Sequence, residues 1–248
     1  MVVIKTREEI ENMKKAGEIL ANCHKEIAKI VKPGITTFEI DQFVEDFLKK
    51  HNATPEQKGY QGYPFATCAS VNDEICHGFP NKTPLKDGDI VTIDMVVNLD
   101  GWLADSAWSY GVGNISPKSK ELLEVTKKSL YVGIEKAVIG NRIGDISHAV
   151  QTYVESKGFS VVKDFVGHGI GRYMHEDPQV PHFGRPGRGP RLMEGMVITI
   201  EPMVKVGTYK CKVDDNGWTA RTTDGKLSAQ YEHTLAITKD GPIIITKQ

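Results

Sequence analysis

The sequence is poor in the features that mark several large classes of protein. Its four cysteines, Cys23, Cys68, Cys76 and Cys211, are too sparse for a disulfide framework in 248 residues, and none falls in a C-x-x-C pair. A reducing cytoplasm is the expected compartment. No apolar run approaches the length of a membrane span, and the amino terminus turns charged at Lys5-Thr-Arg-Glu-Glu before a signal-peptide core can form. An excess of charge is missing too: 31 basic residues stand against 32 acidic ones, a formal net charge of −1, which argues against a membrane or a specific nucleic acid as partner. No Gly-rich phosphate loop accompanies a βαβ unit and no G-x-S-x-G elbow occurs, so phosphoryl transfer and serine hydrolysis lack their machinery. No linker or low-complexity stretch divides the chain. What remains is an ordinary globular composition, 40% hydrophobic and 25% charged, with small molecules or peptides as the expected partners.

The chain opens with a capping box, Thr6 with Glu9, followed by Ile10, Met13, Ile19, Leu20, Cys23, Ile27 and Ile30 at three- and four-residue steps. That pattern predicts a long amphipathic helix ended by Lys32-Pro33-Gly34. Thr36 with Glu39 caps a second helix. Ser116-Pro117 starts a third, with Pro at its first position, and a fourth lies between Gly140 and Gly158. Between the helix pairs lies Asp87-Gly-Asp-Ile-Val-Thr-Ile-Asp94, a turn signal and a β-branched strand, with Asp94 read at the strand end. Asp100-Gly101 reads as a hairpin turn that would set Asp94 and Asp105 face to face.

Two stretches recur. Glu194 to Val204 repeats Asp87 to Val97 at a shift of 107 residues, with Gly88 on Gly195, Thr92 on Thr199 and Asp94 on Glu201. The helix that follows Gly34 repeats after Gly140 at a shift of 106. Agreement between separate segments predicts one catalytic domain of two pseudo-symmetric halves, about 1–113 and 114–248, each built of helix, helix and sheet. In such a molecule the equivalent strand positions converge, which would bring Asp94 and Glu201 together.

Asp94, Asp105, His168, Glu201 and Glu232 are polar groups where apolar ones are expected. Four carboxylates crowded together repel and protonate unless cations are present. Two divalent ions balance that charge, and five ligands exceed what one catalytic ion takes. With no thiolate and a single imidazole in the set, the ions are cobalt, manganese, iron or zinc, among which the sequence does not choose. Such a pair lowers the pKa of a shared water and polarises a carbonyl, so hydrolysis is the expected chemistry. His77 and His175 are candidates to bind the substrate or carry a proton. His233, beside Glu232, reads as structural.

Together these residues resemble the type I methionine aminopeptidases. The matching stretches are Lys32-Pro-Gly-Ile-Thr-Thr, Ser70-Val-Asn-Asp-Glu-Ile-Cys-His-Gly, the Asp94 strand with Asp105 eleven residues on, Gly167-His-Gly-Ile-Gly, His175-Glu-Asp-Pro-Gln-Val, Ile200-Glu-Pro-Met and Gln230-Tyr-Glu-His-Thr. The resemblance implies the pita-bread fold, an α+β architecture of two pseudo-symmetric halves with antiparallel sheet flanked by helices. It implies removal of the initiator methionine from nascent proteins whose second residue is small. It makes Asp94 the terminal ligand of one metal, His168 and Glu201 ligands of the other, and Asp105 and Glu232 bridges, with Glu201 also exchanging a proton with water. His77 and His175 resemble the pair that contacts the substrate peptide, and Tyr60, Tyr63, Cys68 and Trp218 fall where the family builds its methionine pocket. Met174 and Trp102-Leu103-Ala104 depart from the commoner residues of the family. The chain starts at its first helix, so a transient ribosome contact would come from the catalytic domain, acting as a monomer.

Two rivals compete with this reading. A proline-specific enzyme of the same fold usually carries an added N-terminal domain, for which 248 residues leave no room. A non-catalytic binding protein on this fold would be expected to have lost ligands, and all five positions are filled.

Overall fold

The computed structural model describes residues 2–248. Four helices, α1 (Arg7–Ile30), α2 (Thr37–Lys50), α3 (Pro117–Ile134) and α4 (Ile143–Ser156), flank sheets whose strand pairs are all antiparallel. The helix starts follow local chemistry. Thr6 accepts from the Glu9 amide while the Glu9 carboxylate accepts from Thr6 N at 2.8 Å, and Thr36 with Glu39 repeats the arrangement at α2. At α4 no Ser or Thr is available, yet Asp145 still accepts from the Arg142 amide at 2.7 Å. α1 packs Met13, Leu20, Cys23 and Ile27 into an apolar cluster with Ile93, Met95 and Leu103. α3 and α4 pack Leu122, Leu130, Ile146 and Val150 against Ile198, Ile200 and Leu235.

Positions 106 or 107 residues apart share backbone detail. Gly34 and Gly140, which precede the second helix of each half, have φ of +95° and +98°, and the strand-leading Gly88 and Gly195 have φ of +95° and +84°. These are left-handed conformations that favour glycine, which is why glycine stands at each of them. Isolated bridges join Thr36 to Pro84 and Arg142 to Arg191 at the same 106- and 107-residue shifts. Thr54–Pro55 pairs with the Ile90–Leu99 strand, as Ser160–Val161 pairs with Met203–Lys205.

Two expectations about the strands need correction. Asp94 is not at a strand end; it is the fifth residue of the ten-residue strand Ile90–Leu99. Its counterpart Glu201 lies just past a strand end: Pro202 follows, which has no N–H for the ladder, and the chain passes from the sheet of Val197–Ile200 to that of Met203–Lys205. Nor do Asp94 and Asp105 face one another. In the hairpin with Trp102–Gly111, Asp94 lies opposite Ala107 and Asp105 opposite Val96, so the two acids are diagonal neighbours on one face.

The halves are joined where the acids lie. Thr234 Oγ1 accepts from Asp105 N at 3.0 Å and donates to Asp105 O at 2.8 Å, Ser106 Oγ donates to Glu232 O at 2.9 Å, and Glu232 N donates to Ala107 O at 2.8 Å. No helix among the described residues is long and apolar enough to cross a membrane.

Candidate active site

A cavity of about 390 Å³ opens between the halves, and its lining includes Asp94, Asp105, His168, Glu201 and Glu232. Ligand atoms of Asp105, His168 and Glu232 lie within 4.8 Å of one another. His168 Nε2 is 3.6 Å from Asp105 Oδ2 and 3.7 Å from Glu201 Oε1, while its Nδ1 lies 2.9 Å from the carbonyl of Gly169. That carbonyl fixes the ring with Nε2 turned to the acids. Thr199 links two of the group, since its Oγ1 accepts from His168 N at 3.0 Å and donates to Glu201 Oε1 at 2.8 Å.

The electrostatics of the five groups are those of a cation site. Burial raises the Asp94 carboxyl to about 7 and the Glu201 carboxyl to about 8. Asp105 and Glu232 are pushed well above the usual carboxylate range, first by burial and then by the charges of the acids around them. Burial lowers His168 to about 4, which leaves it a neutral imidazole, the form that ligates metal. Asp105 Oδ1 and Glu232 Oε1 are buried with no hydrogen-bonding partner. Buried oxygens without donors are costly, and oxygens turned to a shared space suit divalent cations.

The remaining predicted residues surround this centre. His175 has its ring 4.5 Å from that of His168, centroid to centroid, and its Nδ1 3.0 Å from Tyr60 Oη. His77 stands edge-on to Phe165 and Trp218 at 5.4 and 6.3 Å, at a φ of +55°, and burial lowers it to about 4. Tyr63 is buried edge-on to Trp218 at 5.0 Å, and its hydroxyl lies 3.0 and 3.1 Å from the carbonyls of Thr67 and Gly78. Cys68 is paired across the strands with Asp94, and burial raises its thiol, so it is an apolar wall rather than a nucleophile. Trp218 lines the cavity from the turn between Cys211–Val213 and Ala220–Thr222. Met174 also lines the cavity. His233 is structural as expected, buried with Nδ1 2.9 Å from Thr246 Oγ1.

Three polar residues around this site, Gln57, His182 and Lys5, have no role in the sequence reading. Gln57 lines the cavity and bonds to the backbone on both sides of Met95. His182 accepts from the Glu201 amide at 2.9 Å. Lys5 and Glu176 form an ion pair whose side chains are 3% and 6% exposed. Glu176 also accepts from the amides of Arg172 and Tyr173, and so braces the turn that presents His175.

Fold and centre together define a metal-dependent hydrolase with an apolar pocket beside its candidate metal site. The chain belongs to metallopeptidase family M24, which matches residues 11–239. Within that family its relatives are methionine aminopeptidases. That of Clostridium perfringens is 55% identical with 99% of each chain covered, and methionine aminopeptidase 1 of Bacillus subtilis is 52% identical with 100% of each covered. The crystal structure of methionine aminopeptidase from Rickettsia prowazekii superposes with a TM-score of 0.98 at 43% identity, covering 100% of both chains. A prolidase from Pyrococcus furiosus has a TM-score of 0.80 at 24% identity, and this chain covers 66% of it, a likeness of fold alone.

Proposed function

We propose that this chain removes the initiator methionine from nascent proteins whose second residue is small, with two divalent ions held by Asp94, Asp105, His168, Glu201 and Glu232. The observation that supports the metal assignment is that Asp105 and Glu232 each keep a buried oxygen without a partner, and that their carboxylates and His168 offer ligand atoms within 4.8 Å of one another. Cobalt, manganese, iron and zinc all suit a set of four carboxylates and one imidazole. Such ions, when bound, supply an acidified water and a Lewis acid for the peptide carbonyl.

The protein's own groups do the rest. Tyr63, Cys68 and Trp218 wall an apolar recess suited to a thioether side chain, and Tyr60 closes its rim beside His175. Glu201, held through Thr199 at the edge of the acid cluster, is the group placed to take a proton and return it. His77 and His175 are both shifted toward the neutral form and offer N–H groups to the reacting carbonyl and the leaving amide. With Tyr60 donating its O–H to His175 Nδ1, the proton of His175 sits on Nε2. The substrates are N-terminal peptides met during synthesis, through transient ribosome contact by a cytoplasmic monomer.

The deciding experiment offers the metal-replete protein Met-Ala-Ser and Met-Lys-Ser peptides. Cleavage of the first and sparing of the second is expected. Cleavage of neither, or preference for Lys in second place, overturns the assignment.

A further inference from the structure

The strand that carries Asp94 is paired along one whole edge by Trp102–Gly111. Its other edge is paired in two pieces, by Cys68–Val71 against residues 91–94 and by Thr54–Pro55 against 97–98. Neither ladder includes Met95 or Val96; beyond Pro55, Glu56 N donates to Val96 O at 2.9 Å, which leaves Asp94 O and Val96 N for a side chain. The side chain of Gln57, 94% removed from solvent at 6% exposure, lies in that gap. Its Nε2 donates to Asp94 O at 3.0 Å and its Oε1 accepts from Val96 N at 2.5 Å. Those bonds, to the carbonyl before Met95 and the amide after it, are the ones a neighbouring parallel strand would make. One primary amide therefore stands in for a missing peptide group, at the residue that offers its carboxylate to the site.

The second half meets the same problem differently. Val197–Ile200 is paired on both edges, by His233–Thr238 and by Gly167–Gly169, but the strand ends at Ile200. Glu201 is left with an amide N–H between two sheets. That N–H donates to Nε2 of His182, an imidazole 1% exposed that follows the Glu176–Val180 strand. Asp94 and Glu201 occupy equivalent positions at the 107-residue shift. At both, a buried side chain completes the backbone hydrogen bonding that the strand order leaves open.

We propose that Gln57 and His182 are positioning residues for the metal centre: by holding the backbone of Asp94 and Glu201, they set where the two carboxylates point. Neither touches the substrate's reacting atoms or supplies a ligand. The inference rests on Asp94 and Glu201 being metal ligands. A side chain that fixes a ligand's backbone acts on metal affinity as hydrogen bonds to the ligands themselves do, where loss of one partner weakens binding by about 10- to 100-fold.

The test is Mn2+ binding to the metal-free full chain by calorimetry, with the visible spectrum of the Co2+-loaded protein as a second reading. Gln57→Met keeps the length of the side chain and removes both bonds; His182→Phe keeps the ring and removes the acceptor. Each is expected to weaken Mn2+ binding by about 10-fold or more and to shift the Co2+ bands. His182→Gln, whose amide oxygen can accept from Glu201 N, is expected to stay within about 3-fold of wild type, a rescue that general loss of packing does not give. Val154→Ala, a core truncation in α4, controls for stability: it lowers Tm and leaves both readings unchanged. Wild-type Mn2+ affinity and Co2+ spectrum in Gln57→Met, or in His182→Phe, overturn the role of that residue. If His182→Phe does not fold, the Gln57→Met result and that of His182→Gln stand on their own, a large loss in the latter counting against the inference. Failure of the underlying reading looks different, because then Asp94→Ala binds Mn2+ as wild type does.

Discussion

His168 Nε2 lies 3.6 Å from Asp105 Oδ2 and 3.7 Å from Glu201 Oε1, close to both and hydrogen-bonded to neither. The three groups converge on a shared space rather than on each other, and their protonation follows from that. The folded-state pKa values of the acids are raised, to about 7 for Asp94 and about 8 for Glu201, and well above the usual carboxylate range for Asp105 and Glu232. A raised acid binds its proton more tightly in the fold than in the unfolded chain. Its contribution to stability is complete below the unfolded value and is lost as pH rises through the folded one. The buried histidines act in the opposite sense but finish titrating by their unfolded value of about 6.5. Metal-free protein is therefore expected to lose about 5 °C or more in Tm between pH 6.5 and 8. Bound cations remove that slope, and Mn2+ added to metal-free protein at pH 7 releases protons. Scanning calorimetry across pH, and titration in buffers of different ionisation enthalpy, check both; a flat metal-free profile would refute the charge reading.

Glu201→Gln removes the charge of a group assigned both as ligand and as proton carrier, so Mn2+ is kept saturating in its test. The amide keeps the shape of the carboxyl and an oxygen for the Thr199 hydroxyl, which donates to Glu201 Oε1 at 2.8 Å. It cannot take a proton at neutral pH. The expected result is a fall in kcat of about 10²- to 10⁴-fold with a much smaller change in KM. Steady-state kinetics on Met-Ala-Ser measure both, and an unchanged kcat would remove Glu201 from the proton path.

How much of this was legible depends on whether a residue's reason is local. The capping boxes at Thr6 and Thr36 are local, and so are the left-handed glycines before each repeated element, Gly34 and Gly140, Gly88 and Gly195. These local signals are what makes the repeat readable in the sequence, and the structure gives the paired glycines matching left-handed backbones. Register is not local: the hairpin was read to the correct strands, but the offset that makes Asp94 and Asp105 diagonal depends on how the whole ten-residue ladder closes. Gln57 and Lys5 lay beyond reading for a related reason. Each satisfies a partner 39 or 171 residues away, and a polar residue in a turn-rich or terminal stretch has no period to betray its burial. His182 sits in a loop of glycines and prolines whose composition reads as surface, yet it is 1% exposed.

Gly17 marks where α1 meets the end of the chain. A Cβ at that position would stand 2.3 Å from the carbonyl oxygen of Ile245 and 2.7 Å from its Cγ2. Backbone cannot rotate away as a side-chain tip can, so Gly17→Ala must push the helix from the C-terminal segment. The gain in helix propensity, about 1 kcal/mol, is outweighed by an overpacking cost of about 1–3 kcal/mol. A Tm lowered by up to about 8 °C is expected, with kcat at 25 °C nearly unchanged because the contact lies away from the cavity. Thermal unfolding of the metal-loaded variant checks it, and a raised Tm would show that α1 has room to shift.

The buried pair Lys5 and Glu176 joins the amino-terminal segment to the turn carrying His175. Lys5→Met leaves Glu176 in a space where its side chain is 6% exposed, with only the amides of Arg172 and Tyr173 as donors. Removing one partner of such a pair costs about 3–5 kcal/mol, whereas removing both charges is often neutral. Lys5→Met is therefore expected to be markedly less stable than Lys5→Met with Glu176→Gln, in which an uncharged amide takes the place of the stranded carboxylate. Because Glu176 braces the turn next to His175, the single variant should also lose kcat, by about 10-fold or more, and the double variant should recover part of it. Denaturant unfolding and kinetics on the two variants form the test. If the double variant is no more stable than the single one, the pair is not what holds the turn, and the placement of His175 must rest on its 3.0 Å contact with Tyr60 instead.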